Sequence, residues 1–157
     1  MKIRRVTMNN RKGQLELELR SGRILPFPYA KLDPRPRTTN RIRQARVDKE
    51  LGAEAVTYVL ASGEEGSLHV DHALEYNQDP AYLAELLIHK LTVEARRRVD
   101  QSGLSRRELA RRLGTSVPQL YRLLDPTNTR KSLSQLVGLL HLVDCEVQVV
   151  VSPRSAA

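Results

Sequence analysis

Leu15, Leu17 and Leu19 alternate with Glu16, Glu18 and Arg20, and a period of two puts the three leucines on one face of a half-buried strand. Ser21-Gly22 follows as a turn, and Arg23 to Phe27 can pair back as a hairpin. Ile3 to Thr7 predicts a strand ahead of Asn9-Asn10. Ala55 to Leu60 predicts another, with Ser62 to Gly66 as a turn and Leu68 to Val70 as the returning strand. Asp33-Pro34-Arg35-Pro36-Arg37 reads as a loop, because each proline bars helix from the residue before it. Arg41 to Lys49 fits a short helix or a strand.

Beyond Asp79 the period lengthens. Asp79 is a good N-cap, Pro80 suits the first helical position, and Leu83, Leu87 and Leu91 recur at a spacing of four. This helix is expected to run to about Val99, with Gly103 ending the connection. Three capping boxes then fall within thirty residues: Ser105-Arg106-Arg107-Glu108, Ser116-Val117-Pro118-Gln119 and Ser132-Leu133-Ser134-Gln135. Each opens a short helix. The third carries Leu136, Val137, Leu139, Leu140 and Val143 as its apolar residues.

After it, Cys145, Val147, Val149 and Val151 alternate with Glu146 and Gln148, and Pro153 closes the run. A strand there must find a neighbour for its backbone, either its own N-terminal sheet or its twin across a two-fold axis. The predicted fold class is α+β. A β-rich module over residues 1–76 precedes a four- to five-helix helix-turn-helix domain with a C-terminal strand over residues 77–157.

The helix-turn-helix expectation rests on spacing. With Arg106 as first position, Ala110 is fifth, Gly114 ninth, Leu120 fifteenth and Leu123 eighteenth. The small Ala110 lets the second helix cross closely, Gly114 can take the positive φ of a tight turn, and the leucines lock the pair together with Leu109 and Leu113. Residues 80–143 resemble the lambda-repressor-like helix-turn-helix domains of the xenobiotic-response-element class, found in phage repressors and bacterial antitoxins. Asn128-Thr129-Arg130-Lys131-Ser132-Leu133, and later Asp144-Cys145-Glu146-Val147, are similar to antitoxin members that end in a short strand. Val117 and Pro118 stand where the family usually carries polar residues. The β-rich part is similar to a small bacterial domain of unknown function sometimes encoded beside helix-turn-helix genes.

Charge sharpens this reading. The net charge of +8 is unevenly spread: residues 1–50 hold fourteen basic and five acidic side chains, residues 51–89 none and seven, and residues 90–131 eleven and four. The basic excess coincides with the motif and with the N-terminal third, as phosphate neutralisation requires. No apolar stretch follows Met1-Lys2-Ile3-Arg4-Arg5, so no secretory signal is expected, and no run approaches the roughly 18–20 apolar residues of a membrane span. With a single cysteine, Cys145, an internal disulfide and a zinc ribbon are excluded, and a cytoplasmic protein is expected.

Catalytic chemistry finds little support. His69 and Asp71 would share one face of a strand, with His72 on the other, and could hold a metal; His89 and His141 fall in predicted helices and complete no site. Gly-x-Ser-x-Gly and phosphate-cradling glycine loops are missing. Neither an enzyme, nor a cofactor, nor a metal is expected.

The expected function is a homodimeric regulator binding a palindromic site in double-stranded DNA, as an antitoxin or autorepressor. Base contacts fall to Val117, Gln119, Tyr121 and Arg122, and phosphate contacts to Arg106, Arg107, Thr115, Ser116, Arg130 and Lys131. Gln119 is unavailable to a base wherever it serves Ser116 as capping partner. The alternative is a module that neutralises a toxin or other basic partner through the acidic middle, with DNA binding secondary.

Overall fold

A computed structural model describes residues 1–153 of the 157-residue chain. Strands come first and helices follow, so the protein is α+β. It divides into two units, Met1–Leu83 and the chain from Ala84 onward, each with its own apolar core.

The first unit opens with β1 (Ile3–Asn9), β2 (Gln14–Leu19) and β3 (Ile24–Pro28), an antiparallel meander. A second meander follows as β4 (Ile42–Asp48), β5 (Ala55–Leu60) and β6 (Glu65–His69). Leu15, Leu17 and Leu19 are fully buried while Glu16 and Glu18 lie on the other face, as the alternation requires. The ambiguous stretch from Arg41 is the strand β4, with Ala45 and Val47 packed on the core.

One boundary differs from expectation. The strand through Leu68 stops at His69, and Val70 begins helix α1 (Val70–Tyr76). Val70, Ala73 and Leu74 are buried, a helical spacing, so tertiary packing decides what two or three residues of local pattern could not.

The two meanders are one structural motif used twice. Leu19 N–H donates to Arg23 O and Gly22 N–H to Leu19 O; 41 residues later Leu60 donates to Glu64 and Gly63 to Leu60 in the same way. Tyr29 N–H meets Gly13 O just as Val70 N–H meets Glu54 O. Both first strands carry a register shift at the same place, between Ile3 and Arg5 and between Ile42 and Gln44. Leu19-Arg20-Ser21-Gly22 against Leu60-Ala61-Ser62-Gly63 is the trace left in the sequence. A repeat of this period builds one core from two copies, neither of which can bury its apolar face alone.

The copies differ where the core needs them to. Leu17 pairs with Leu25 in the first, whereas Tyr58 pairs with Gly66 in the second. A Cβ at Gly66 would lie 2.2 Å from the Tyr58 ring, so only glycine leaves room for it. The Tyr58 hydroxyl reaches past that gap to donate to Pro34 O at 2.8 Å, and burial, with the nearby Asp33 charge, pushes its pKa up to about 12.

Asp79 caps α2 (Pro80–Gln101) by accepting from the Tyr82 N–H at 2.8 Å, and pairs with Arg23 from the β2–β3 turn. It is only 1% exposed. The Tyr82 amide first, then Arg23, holds its carboxyl below the usual range.

In the second unit α2 is followed by α3 (Arg106–Leu113), α4 (Val117–Leu123) and α5 (Leu133–Leu142). Thr92, Ala95 and Val99 are the buried residues of α2, and Ile88 and Leu91 pack beside them, whereas Leu87 is exposed. The stripe is therefore not the Leu83-Leu87-Leu91 row. A spacing of four drifts by about 40° per step on a helix of 3.6 residues per turn, so such a row cannot keep to the core face, and of it only Leu91 packs on the helical core. Leu136, Leu139 and Leu140 of α5 close the core, but Val137 is exposed.

The C-terminal strand requires a correction. Asp144 takes a positive φ of 58°, and Cys145 and Val147 pack on the helical core as the alternation predicts. Residues 145–151 nevertheless pair with no strand among the described residues, and Val149, Val150 and Val151 are 85–89% exposed. The alternation marks an extended chain; a ladder additionally needs a neighbouring edge.

Candidate functional site

Each end of the helix pair is fixed by a named group. Ser105 Oγ accepts from the Glu108 N–H at 3.1 Å and starts α3. Gly114 ends it in the left-handed region at φ 70°, ψ 33°, with Thr115 N–H returning to Ala110 O at 2.9 Å. That φ is the one the turn demands of a residue without Cβ. Ser116 Oγ accepts from the Gln119 N–H at 3.3 Å, and Pro118 sits in the first turn of α4, where a missing N–H costs nothing. Leu109, Ala110, Leu120 and Leu123 are buried, and Gly138 of α5 lies against Leu113.

With those leucines inward, α4 presents Gln119, Tyr121 and Arg122 outward, and Tyr121 is 58% exposed. The Gln119 side chain does not return to Ser116: its amide and the Arg122 guanidinium have no partner among the described residues. Val117 behaves otherwise. It is half-buried and packs on the helical core.

Most arginines around the pair are already engaged. Glu108 takes Arg111 and Arg112, each at 2.7 Å, and these two bonds hold its carboxyl near a pKa of about 2. Its carboxylate is thus drawn up the helix and not back to the Ser105 amide, so only half of the capping box forms. Glu94 binds Arg97 at 2.6 Å and Arg98 at 2.7 Å in the same manner. Arg106 is held by Asp100 at 2.6 Å.

Lys131 also has a structural task. Its Nζ donates to Leu123 O and Asp125 O, both at 2.7 Å, satisfying carbonyls at the C-terminal end of α4, and burial lowers its pKa. Arg107 and Arg130 remain exposed with no ion pair among the described residues. Thr115 is half-buried in the turn, and the Ser116 hydroxyl is spent on its cap.

Arg96 is a residue that pattern reading passed over. With Arg106, Tyr121, Leu124, Asp125 and Pro126 it lines a shallow cleft beside α4. Its signal lay in the run Arg96-Arg97-Arg98 after Glu94. Positions three and four beyond Glu94 face that carboxylate and position two does not, so Arg96 stays clear of Glu94 and its charge bears instead on Asp125 in the cleft.

No family model, curated protein or solved structure matches the chain.

The histidine cluster is placed differently from its strand expectation. Because α1 begins at Val70, Asp71 and His72 are helical, and His69 is the N-cap of that helix. Its Nδ1 accepts from the Asp71 N–H at 3.3 Å and lies 3.5 Å from the Asp71 carboxylate. No three metal-ligating side chains gather among the described residues. No described helix is long and apolar enough to cross a membrane.

Proposed function

We propose that the protein is a sequence-specific DNA-binding regulator that inserts α4 into the major groove and acts by occupying its site. The observation that carries this reading is the outer face of α4. Gln119, Tyr121 and Arg122 project from a helix locked by its own caps and leucines, and neither Gln119 nor Arg122 is consumed inside the chain. A planar amide and a guanidinium in such a position can address adenine and guanine edges bidentately.

Arg107 and Arg130, with the turn at Thr115 and Ser116, grip phosphates on either side; Arg106 and Lys131 hold the framework. Val117, seated on the core, contributes shape and no direct hydrogen bond. An autorepressor or antitoxin working in the cytoplasm is the finer form of this reading.

A gel-shift titration with the gene's own upstream DNA tests it. A complex that survives excess random duplex supports the reading, and equal affinity for unrelated duplex overturns it.

One copy of α4 covers too few base pairs for specificity, so the reading includes a homodimer, with half-sites one helical turn or ~34 Å apart. The exposed valines at 149–151 are the surface offered for strand pairing across the two-fold. Truncation after Asp144 is expected to leave a folded, monomeric chain that binds its operator poorly. Light scattering that still reports a dimer places the contact elsewhere.

A further inference from the structure

The connector between the two meanders is ordered and helps to line a cleft. In the second copy the chain leaves its last strand directly into α1, but in the first it makes a short 3-10 turn at Tyr29–Lys31 and runs on to Arg41 before the next strand. This long connector is not slack. Leu32 is buried, Pro34 O is held by Tyr58, and Arg37 and Asn40 exchange two backbone hydrogen bonds across a tight turn. Asn40 is tied in turn to Ser62 by bonds of 3.0 and 2.8 Å. Ordered connectors of this length usually serve a purpose beyond linkage.

What the ordering presents is a cleft of ≈ 290 Å³ lined by Asn10, Tyr29, Pro36, Arg37, Thr38, Arg41 and Ile42. Its chemistry is divided. Arg37 and Arg41 bring two guanidinium groups with no ion pair or hydrogen bond among the described residues, and no carboxylate lines the cleft. The same cleft is lined by Tyr29, whose hydroxyl donates to Asn10 Oδ1 at 3.0 Å, and by Pro36 and Ile42. Two free arginines on a fixed backbone suit a phosphate, since the fork geometry matches paired oxyanion oxygens and little order is lost on binding. An aromatic ring and two apolar side chains beside them suit a flat organic body.

We propose that this cleft binds a phosphate group carried on a flat ring system, the chemistry of a nucleotide, by clamping the phosphate between Arg37 and Arg41. The phosphate can belong to a free mononucleotide or to a nucleic-acid strand. The site lies wholly in the first unit and does not depend on α4 reading DNA.

Calorimetric titration of the full chain decides it, with adenosine 5′-monophosphate, adenosine, inorganic phosphate and a ten-nucleotide thymidine oligomer as probes. Adenosine 5′-monophosphate is expected to bind, adenosine at least about tenfold more weakly, and the Arg37→Gln/Arg41→Gln variant to lose at least about tenfold, as charge-assisted bonds to an oxyanion predict. Arg37→Lys/Arg41→Lys should fall between, because charge is kept and the fork is lost. Arg46→Gln should bind like the parent. Running the series also on Arg122→Ala separates this site from the DNA reading, since nucleotide binding should not move. Tighter binding of the oligomer than of the mononucleotide, still lost in the double glutamine variant, supports the site and assigns its phosphate to a strand. Failure of both phosphorylated probes, or unchanged binding by a double glutamine variant with native circular dichroism, overturns the proposal. Inorganic phosphate binding as tightly as the mononucleotide overturns the role given to the ring and its apolar wall.

Discussion

The helical unit and the β unit are both rich in arginine, yet they treat their charges differently. In the helical unit two pairs of arginines are interleaved with an acid at helical spacing, Glu94 with Arg97 and Arg98 and Glu108 with Arg111 and Arg112, while Asp100 takes Arg106 from the next helix. Of the remaining arginines described there, Arg107, Arg122 and Arg130 have no ion pair or side-chain hydrogen bond among the described residues, and Arg96 lies beside Asp125 in the cleft next to α4. The β unit holds eleven acids against fourteen cations, but few of them pair. Glu18 serves Arg4 and Arg5, Asp79 serves Arg23, and the connector keeps Arg37 and Arg41 unpaired. Net charge alone, +3 over residues 1–83 and +5 over residues 84–157, would mark both regions as adhesive. The pairing shows that exposed i,i+3 and i,i+4 partners cancel most of the local field, so the unpaired cations map the sites a phosphate can reach.

The sharpest break in that comparison is at Asp79, the one buried acid among the described residues, whose cation partner sits half in solvent. Asp79→Ala removes the cap of α2 and strands Arg23, and is expected to cost about 2–4 kcal/mol of stability, between a lost cap and a broken buried pair. The folded carboxyl titrates below its usual value, so its contribution is complete above the ordinary aspartate range. It disappears as the pH falls through the lowered folded value. Urea denaturation at pH 7 and pH 3 should show the acid loss shrinking in Asp79→Asn. An unchanged pH dependence would remove Asp79 from the account.

Next in size is the outward face of α4. Arg122→Ala should leave the melting temperature unmoved, since the guanidinium has no ion pair or hydrogen bond among the described residues. Affinity for a specific site should fall by ~1–3 kcal/mol, with a smaller loss on random duplex. Arg112→Ala, whose cation is already neutralised by Glu108, should change binding far less. Equal losses for the two variants would mean that pairing does not decide which arginines are available.

How much of this was legible beforehand follows from the range of each interaction. Ser105, Ser116 and Ser132 announce their helices because a cap is made with an amide three residues on, and Gly114 announces its turn through a single dihedral. The strands of the first meander were equally local. Arg41 to Lys49 could not be resolved, because its strand is chosen by Val56 and Tyr58 opposite, outside any local window. The internal repeat escaped notice for a related reason: hydrogen-bond geometry is duplicated at 41 residues while side chains such as Leu25 and Gly66 diverge. Lys131 and Arg106 looked like free cations for want of long-range partners, and the carbonyls and carboxylate that hold them are visible only once the helices pack.

The smallest expected effect is the most discriminating test of pairing. Glu108→Gln keeps the shape of the side chain and removes the charge that holds Arg111 and Arg112. The pair is exposed to solvent, so stability should barely change, as is usual for surface ion pairs and first-turn acids. The released guanidinium groups should act on DNA instead. If both reach phosphates, the slope of log K against log salt steepens by up to about 0.9 for each, and non-specific affinity rises at low salt. Arg107→Gln should shift the slope the other way by one such step, since that side chain has nothing else to bind. A Glu108→Gln protein with the parental salt slope would show that Arg111 and Arg112 point away from the duplex whatever their partner. The boundary of the interface would then run between Arg107 and Arg111 along α3.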